Sequence, residues 1–236
     1  MGQTAAAFKF IFIVALAPAV LSVLLLAFFV KDRPQKTQPR ANMLKSYRSL
    51  GRGYKHYLKA SCIFSVAYFS FAFLLLKAYI VGFLIKDVVL LYALFNISFV
   101  LSSLPIGKLG DKIGRKRIII LEYLIYAAMS IGFIFASTKL SVILMFVIYG
   151  IFYAIDDAQT KAYISDLSDK DTRATAIGIY NFATGMIYLP ASLIAGALWK
   201  YAGPEYTFGF AAVLTIIAAG YFVSKSETID ISQQKT

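Results

Sequence analysis

The sequence predicts an all-α membrane protein with about seven transmembrane helices. Of its 236 residues, 59% are hydrophobic and only 15% are charged, against about a quarter charged in a soluble domain. The charges are clumped and leave apolar runs of about 20 residues, the length a helix needs to cross a ~30 Å hydrocarbon core. Lysine and arginine gather in alternate connections between those runs, as they do in multi-pass proteins.

The runs fall at residues 7–30, 60–85, 88–106, 118–136, 140–163, 174–199 and 206–223. None shows the period-two alternation of a barrel strand. The first run is too long for a signal peptide. It ends in Lys31-Asp32-Arg33-Pro34 with no small-residue cleavage site, so it reads as a retained span. The chain therefore divides into an N-terminal helix (1–30), a basic linker (31–59), a six-helix bundle (60–223) and a tail (224–236).

Orientation follows from the basic residues. The linker holds Lys31, Arg33, Lys36, Arg40, Lys45, Arg48, Arg52, Lys55 and Lys59. The connection after the third run holds Lys108, Lys112, Arg115, Lys116 and Arg117, and that after the fifth holds Lys161, Lys170 and Arg173. The other side carries Lys9, Lys86, Lys139 and Lys200. The positive-inside rule places the linker and C-terminus in the cytoplasm and the N-terminus outside, in the cell membrane. The net charge of +12 is then assigned to loops beside an anionic leaflet rather than to nucleic acid. The expected partners are the lipid bilayer and a small-molecule substrate.

One cysteine and one histidine, Cys62 and His56, provide neither a disulfide nor the usual zinc ligand set. No phosphate loop, nucleophile elbow or paired His-Glu site is present. The expectation is a protein that is not an enzyme and needs no cofactor or metal.

Residues 107–117 read Gly-Lys-Leu-Gly-Asp-Lys-Ile-Gly-Arg-Lys-Arg. Glycines permit a tight reversal and close helix approach. Asp111 is suited to the N-terminus of a neighbouring helix, and Arg115 to a bidentate carboxylate pair. This stretch resembles the major facilitator signature, matching at Gly107, Leu109, Gly110, Asp111, Lys112, Gly114, Arg115 and Lys116, in a short loop between adjacent spans. In that family the motif is a latch that holds the outward-facing state.

The resemblance extends further. Residues 158–167 (AQTKAYISDL) and 173–178 resemble the junction between the family's tenth and eleventh helices. The first run and Lys31–Pro34 resemble the sixth helix, and runs two to seven resemble helices seven to twelve. The implied fold is the family's six-helix C-terminal bundle with one helix in front. The implied function is part of a secondary transporter that moves a small solute by alternating access. A full family member has twelve spans, so five remain unaccounted for. A separate chain supplying them is one expectation, and a fragment or accessory subunit without independent transport is the other.

The resemblance also implies that runs two, three, five and six face a central cavity. Their mid-depth polar and aromatic residues are Tyr68, Ser70, Asn96, Tyr149, Tyr153, Asn181, Thr184 and Tyr188, which either line that cavity or serve helix packing. Lys77, charged within a span, either snorkels to the outer interface or meets an anionic substrate or internal acid. Asp156 and Asp157, with Lys161 one turn on, form either a local ion pair or a gate and proton-coupling site, with Asp157 the better candidate. Glu122, one turn into the fourth run, reads as interfacial.

Overall fold

The computed structural model describes residues 2–29 and 43–233. The first part of the linker, residues 31–42, lies outside them, as do residues 1, 30 and 234–236. The chain divides into two compact units, residues 1–41 and 42–236.

The first unit is one helix, α1 (Gly2–Phe29), with Pro18 inside it. Proline removes a helical N–H and disturbs the turn before it. Ser22 Oγ donates to the Pro18 carbonyl at 2.8 Å. Phe10, Ile13, Leu16, Leu21, Val23 and Phe28 all point outward, as an apolar helix in lipid does.

Helices joined by short connections make up the described residues of the second unit. It contains α2 (Met43–Ser49), α3 (Arg52–Ala67), α4 (Ala72–Ile80), α5 (Ile85–Ile113), α6 (Arg115–Phe135), α7 (Lys139–Asp166), α8 (Arg173–Tyr201) and α9 (Pro204–Gln233). Among the described residues, six segments are long and apolar enough to cross a membrane: Arg52–Ile80, Lys86–Ile113, Arg115–Phe135, Lys139–Asp166, Arg173–Tyr201 and Pro204–Ser224. The chain is thus an all-α, multi-pass membrane protein of the expected class.

Lipid tails are as apolar as leucine, so helix association rests on packing and polar contacts rather than on escape from water. The most extensive packing joins α5 to α7 and α6 to α9, then α3 to α9 and α6 to α7. The core is aromatic: Tyr57, Tyr123, Tyr126, Phe133, Phe152 and Phe222 are nearly fully buried. Phe64 sits edge-on to Tyr126 at 5.1 Å, and Phe133 stacks on Phe208 at 5.0 Å, within the range of favourable ring pairs.

Two features differ from the sequence expectation. The first expected bundle span, 60–85, begins earlier, at Arg52, and is broken between α3 and α4. Tyr68 ends α3 at φ −90°, ψ 84°. A break inside a membrane is tolerated only where its backbone groups find partners, and here they do. Tyr126 Oη donates to the Ala67 carbonyl at 3.1 Å, and the Ser70 N–H donates to Ser192 Oγ on α8 at 3.2 Å.

The second difference lies in the glycine-rich motif, expected as a loop. Helix α5 runs through Gly107, Gly110 and Asp111 to Ile113, and α6 starts at Arg115. The reversal is made by Gly114 alone, at φ 95°, a conformation that costs other residues a steric penalty. Residues 108–113, with Lys108, Asp111 and Lys112 among them, therefore belong to the end of a helix, because nothing short of Gly114 breaks its backbone pattern.

Candidate functional site

A cavity of about 640 Å³ opens near the middle of the bundle. That volume lies within the roughly 300–1,000 Å³ usual for small-molecule sites. Its walls come from the break between α3 and α4 (Tyr68, Phe69, Ser70, Phe71), from α5, α7 and α8. Tyr149 and Tyr153 lie 10 and 14 residues into the 28-residue α7, close to halfway along it. Tyr188 and Ser192 are similarly central in α8.

Of the expected cavity residues, Tyr68, Ser70, Asn96, Tyr149, Tyr153 and Tyr188 line this space. The Tyr68 and Tyr149 hydroxyls are 3.3 Å apart and join the break to α7. Asn96 Nδ2 donates to the Tyr92 carbonyl one turn earlier, at 2.7 Å.

A second hollow of about 310 Å³ lies toward the motif end and is lined by Asp156, Asp157, Lys161, Tyr180, Asn181 and Thr184 among others. Tyr188 borders both spaces. Asn181 and Thr184 thus belong to this second hollow, one to two turns from the main cavity along α8. Lys161 Nζ is 2.6 Å from Asp157 Oδ1, with both side chains half-exposed. Asp156 is more enclosed. It accepts from Thr160 Oγ1 at 3.4 Å, and Thr160 in turn meets the Tyr57 hydroxyl at 3.1 Å.

Lys77 lines neither space. Its side chain is 6% exposed, and Nζ lies 3.5 Å from Glu205 in the first turn of α9. Glu205 is itself half-exposed and stands at a helix N-terminus, where an anion is favoured, so the amine reaches the end of the bundle and meets an acid there. Glu122 departs from expectation. It is 2% exposed, and its Oε2 has no hydrogen-bond partner among the described residues. Its position on α6 faces the aromatic core rather than the interface.

At the motif end, Arg115 spans three helices. Nη1 donates to the Ala162 carbonyl and to Asp166 Oδ1, both at 2.8 Å, and Nη2 donates to Asp111 Oδ1 at 3.2 Å. The guanidinium thus bridges two carboxylates instead of gripping one bidentately. Asp111 stands in the last turn of α5, mostly exposed, with Arg115 as its partner. Lys112 and Gly107 are also helical there. Gly110 allows the close approach of α7: a Cβ at that position would collide with the Gln159 side chain, whose Nε2 donates to the Ile106 carbonyl at 3.1 Å. Leu109 and Lys116 complete the motif, Leu109 facing outward.

Phe71, Tyr92, Phe95, Phe99 and Ser192 line the cavity without having been singled out in the sequence. Tyr92, Phe95, Asn96 and Phe99 recur at i, i+3, i+4 and i+7, a helical-face signal that was available. Asp166 and Gln159 carried no such signal, because their partners lie 51 and 53 residues away. Among the described residues, no group of three or more His, Cys, Asp or Glu side chains is placed to hold a metal ion.

The sequence profile of the Major Facilitator Superfamily matches residues 85–234. An uncharacterized MFS-type transporter of Methanocaldococcus jannaschii is 38% identical over 213 residues, covering 87% of this chain and 53% of the relative. A second uncharacterized MFS-type transporter of that organism is 26% identical over 149 residues, covering 63% of this chain and 39% of the relative. The chain spans about half the length, or less, of these curated relatives. The matched profile, the identity and the six-span helical bundle together establish that the chain belongs to the major facilitator superfamily.

Proposed function

We propose that the chain is part of a secondary active transporter that moves a small solute across the cell membrane by alternating access. The observation that carries this reading is the broken first span of the bundle, whose irregular backbone lines a mid-depth cavity. Discontinuous helices of this kind form substrate sites in transporters. The cavity closes against the family's remaining spans, which the relatives carry in the part of their length that this chain does not cover. Arg115, Asp111 and Asp166 act as the latch at the cytoplasmic end. Asp157 and Lys161 act as a gate that couples proton movement to the cycle.

The test is accessibility from each side. In a Cys62→Ser background, Asn96→Cys in oriented vesicles is labelled with a membrane-impermeant maleimide. Alternating access predicts labelling from both faces, with the balance shifting when the latch is mutated. Labelling from one face under every condition would refute it.

The chain spans about half the length of its relatives, and the second reading is a truncated fragment or accessory membrane subunit with no independent transport. Co-reconstitution with a chain supplying the remaining spans separates the two. Solute counterflow that appears only in the complex supports the first reading, and a complex with no counterflow supports the second.

A further inference from the structure

Glu122 is an acid that the bundle encloses and that lines neither the cavity nor the second hollow. It stands in the first half of α6, two turns in from the helix start at Arg115 and about 10 Å along the axis. Its side chain is buried, its Oε2 has no hydrogen-bond partner, and no ion pair among the described residues includes it. An ionisable group inside a membrane span is costly, and its presence calls for a function.

The groups around it come from several helices. The Glu122 charge acts on Tyr57 of α3, on its own neighbour Tyr123, and on Tyr180 and Tyr188 of α8. The charge that acts on Glu122 is that of another acid, Asp156 of α7. Helix α9 brings Phe222, whose ring meets Tyr123 at 6.2 Å. The bases of these helices are committed elsewhere. Lys161 is held by Asp157 at 2.6 Å, Arg115 by Asp166 and Asp111, and His56 Nε2 lies 3.0 Å from the Phe222 carbonyl oxygen. The charged groups in the last turns of α5, Lys108, Asp111 and Lys112, are exposed.

A carboxylate at this place would meet rings and a second acid, with no cation to answer it. A buried charge without a partner neutralises, and a carboxylate does so by taking a proton. Ser61 on α3 belongs to the same layer. It is buried, its hydroxyl has no hydrogen-bond partner, and it faces Tyr123 and Tyr180, two of the rings on which Glu122 acts. A line of polar groups leads from solvent toward this layer. Asp156 opens on the second hollow, Thr160 Oγ1 donates to it at 3.4 Å, and the Tyr57 hydroxyl meets Thr160 Oγ1 at 3.1 Å.

We propose that Glu122 is a proton-binding site outside the transport cavity, occupied in the closed bundle, and that loss of its proton loosens α3, α6 and α9 around it. One O–H bond forms on the carboxylate when the proton arrives from water in the second hollow, and the same bond breaks when it returns there. The charge left behind can be relieved only by water entering between the helices, which opens their packing. This goes beyond the transport reading and does not rest on it.

The test uses the purified full chain in lipid nanodiscs and two readouts. In infrared difference spectra, the unmutated chain at neutral pH should show the carbonyl stretch of a protonated carboxyl, and Glu122→Gln should lack it. Glu122→Asp keeps the acid and should move the band rather than remove it, which identifies the band even if the glutamine variant does not fold. The second readout is Cys62, which follows Ser61 on α3 and is partly buried. Its labelling by a small membrane-permeant thiol reagent is compared between chains at one pH, so that the reagent's own pH dependence cancels. At about pH 9 Cys62 of the unmutated chain should react about tenfold faster than Cys62 of the Glu122→Gln chain, and at about pH 6 the two should match. No protonated-carboxyl band at neutral pH, or a band that neither substitution alters, would overturn the site. Equal labelling of the two chains at both pH values would overturn the control of packing.

Discussion

Gln159 on α7 lies directly over Gly110 on α5, in space that any larger residue at 110 would occupy, and its amide is held by the Ile106 carbonyl at 3.1 Å. Glycine costs a helix about 1 kcal/mol relative to alanine, so Gly110→Ala would ordinarily stabilise. Here the added methyl displaces a buried amide and breaks its bond, at about 1–3 kcal/mol. The net expectation for Gly110→Ala is a loss of about 1 kcal/mol in thermal unfolding of the detergent-solubilised chain. In a Gln159→Ala background the same substitution should become neutral or stabilising. Equal effects in the two backgrounds would show that the pair is not coupled.

The break between α3 and α4 depends on borrowed hydrogen bonds. Tyr126→Phe removes the donor to the buried Ala67 carbonyl while keeping the ring. Leaving that carbonyl unpartnered should cost about 1–3 kcal/mol. An unchanged unfolding midpoint would mean that the break is supported some other way.

Asp111→Asn removes the weaker arm of the Arg115 bridge and leaves the Asp166 arm at 2.8 Å in place. Half-exposed ion pairs contribute about 1 kcal/mol or less to stability, so insertion and folding should persist. The assembled transporter should nevertheless cycle poorly, because the latch must re-form in every turnover. Solute uptake by the complete assembly is the measurement, and uptake at the unmutated rate would rule out the latch role.

The basic residues predict topology. Cysteines introduced singly within residues 31–59 should be protected from an impermeant external reagent in intact cells, and one near Lys139 should react. Ready external labelling of the linker would reverse the assignment.

Asp157→Asn should abolish uptake driven by a pH gradient and spare solute exchange, since asparagine mimics a carboxyl that never releases its proton. The Asp157–Lys161 pair is an exposed i, i+4 contact worth about 0.3–0.5 kcal/mol, so stability should barely change. Intact gradient-driven uptake would leave Asp157 with a structural role only.

The helical class, the number of bundle spans and the family were legible in the chain itself. Span length, charge placement and the 107–116 pattern are local properties, and the bilayer imposes them one segment at a time. Several cavity residues were legible too, because polar and aromatic side chains at mid-depth are costly or bulky and stand out against an apolar helix. What only the tertiary structure decided are the relationships between helices. The break at Tyr68–Phe71 exists because Tyr126 and Ser192 come from other helices to satisfy it. The ion-pair partner of Lys77, Glu205, comes from α9, 128 residues further along the chain. Glu122 reads as interfacial until the packing of its neighbours encloses it. Gly110 reads as a turn residue until Gln159 fills the space above it. In each case the partner is distant in sequence, and in lipid the energy of a polar or close-packed group is set by the partner it meets.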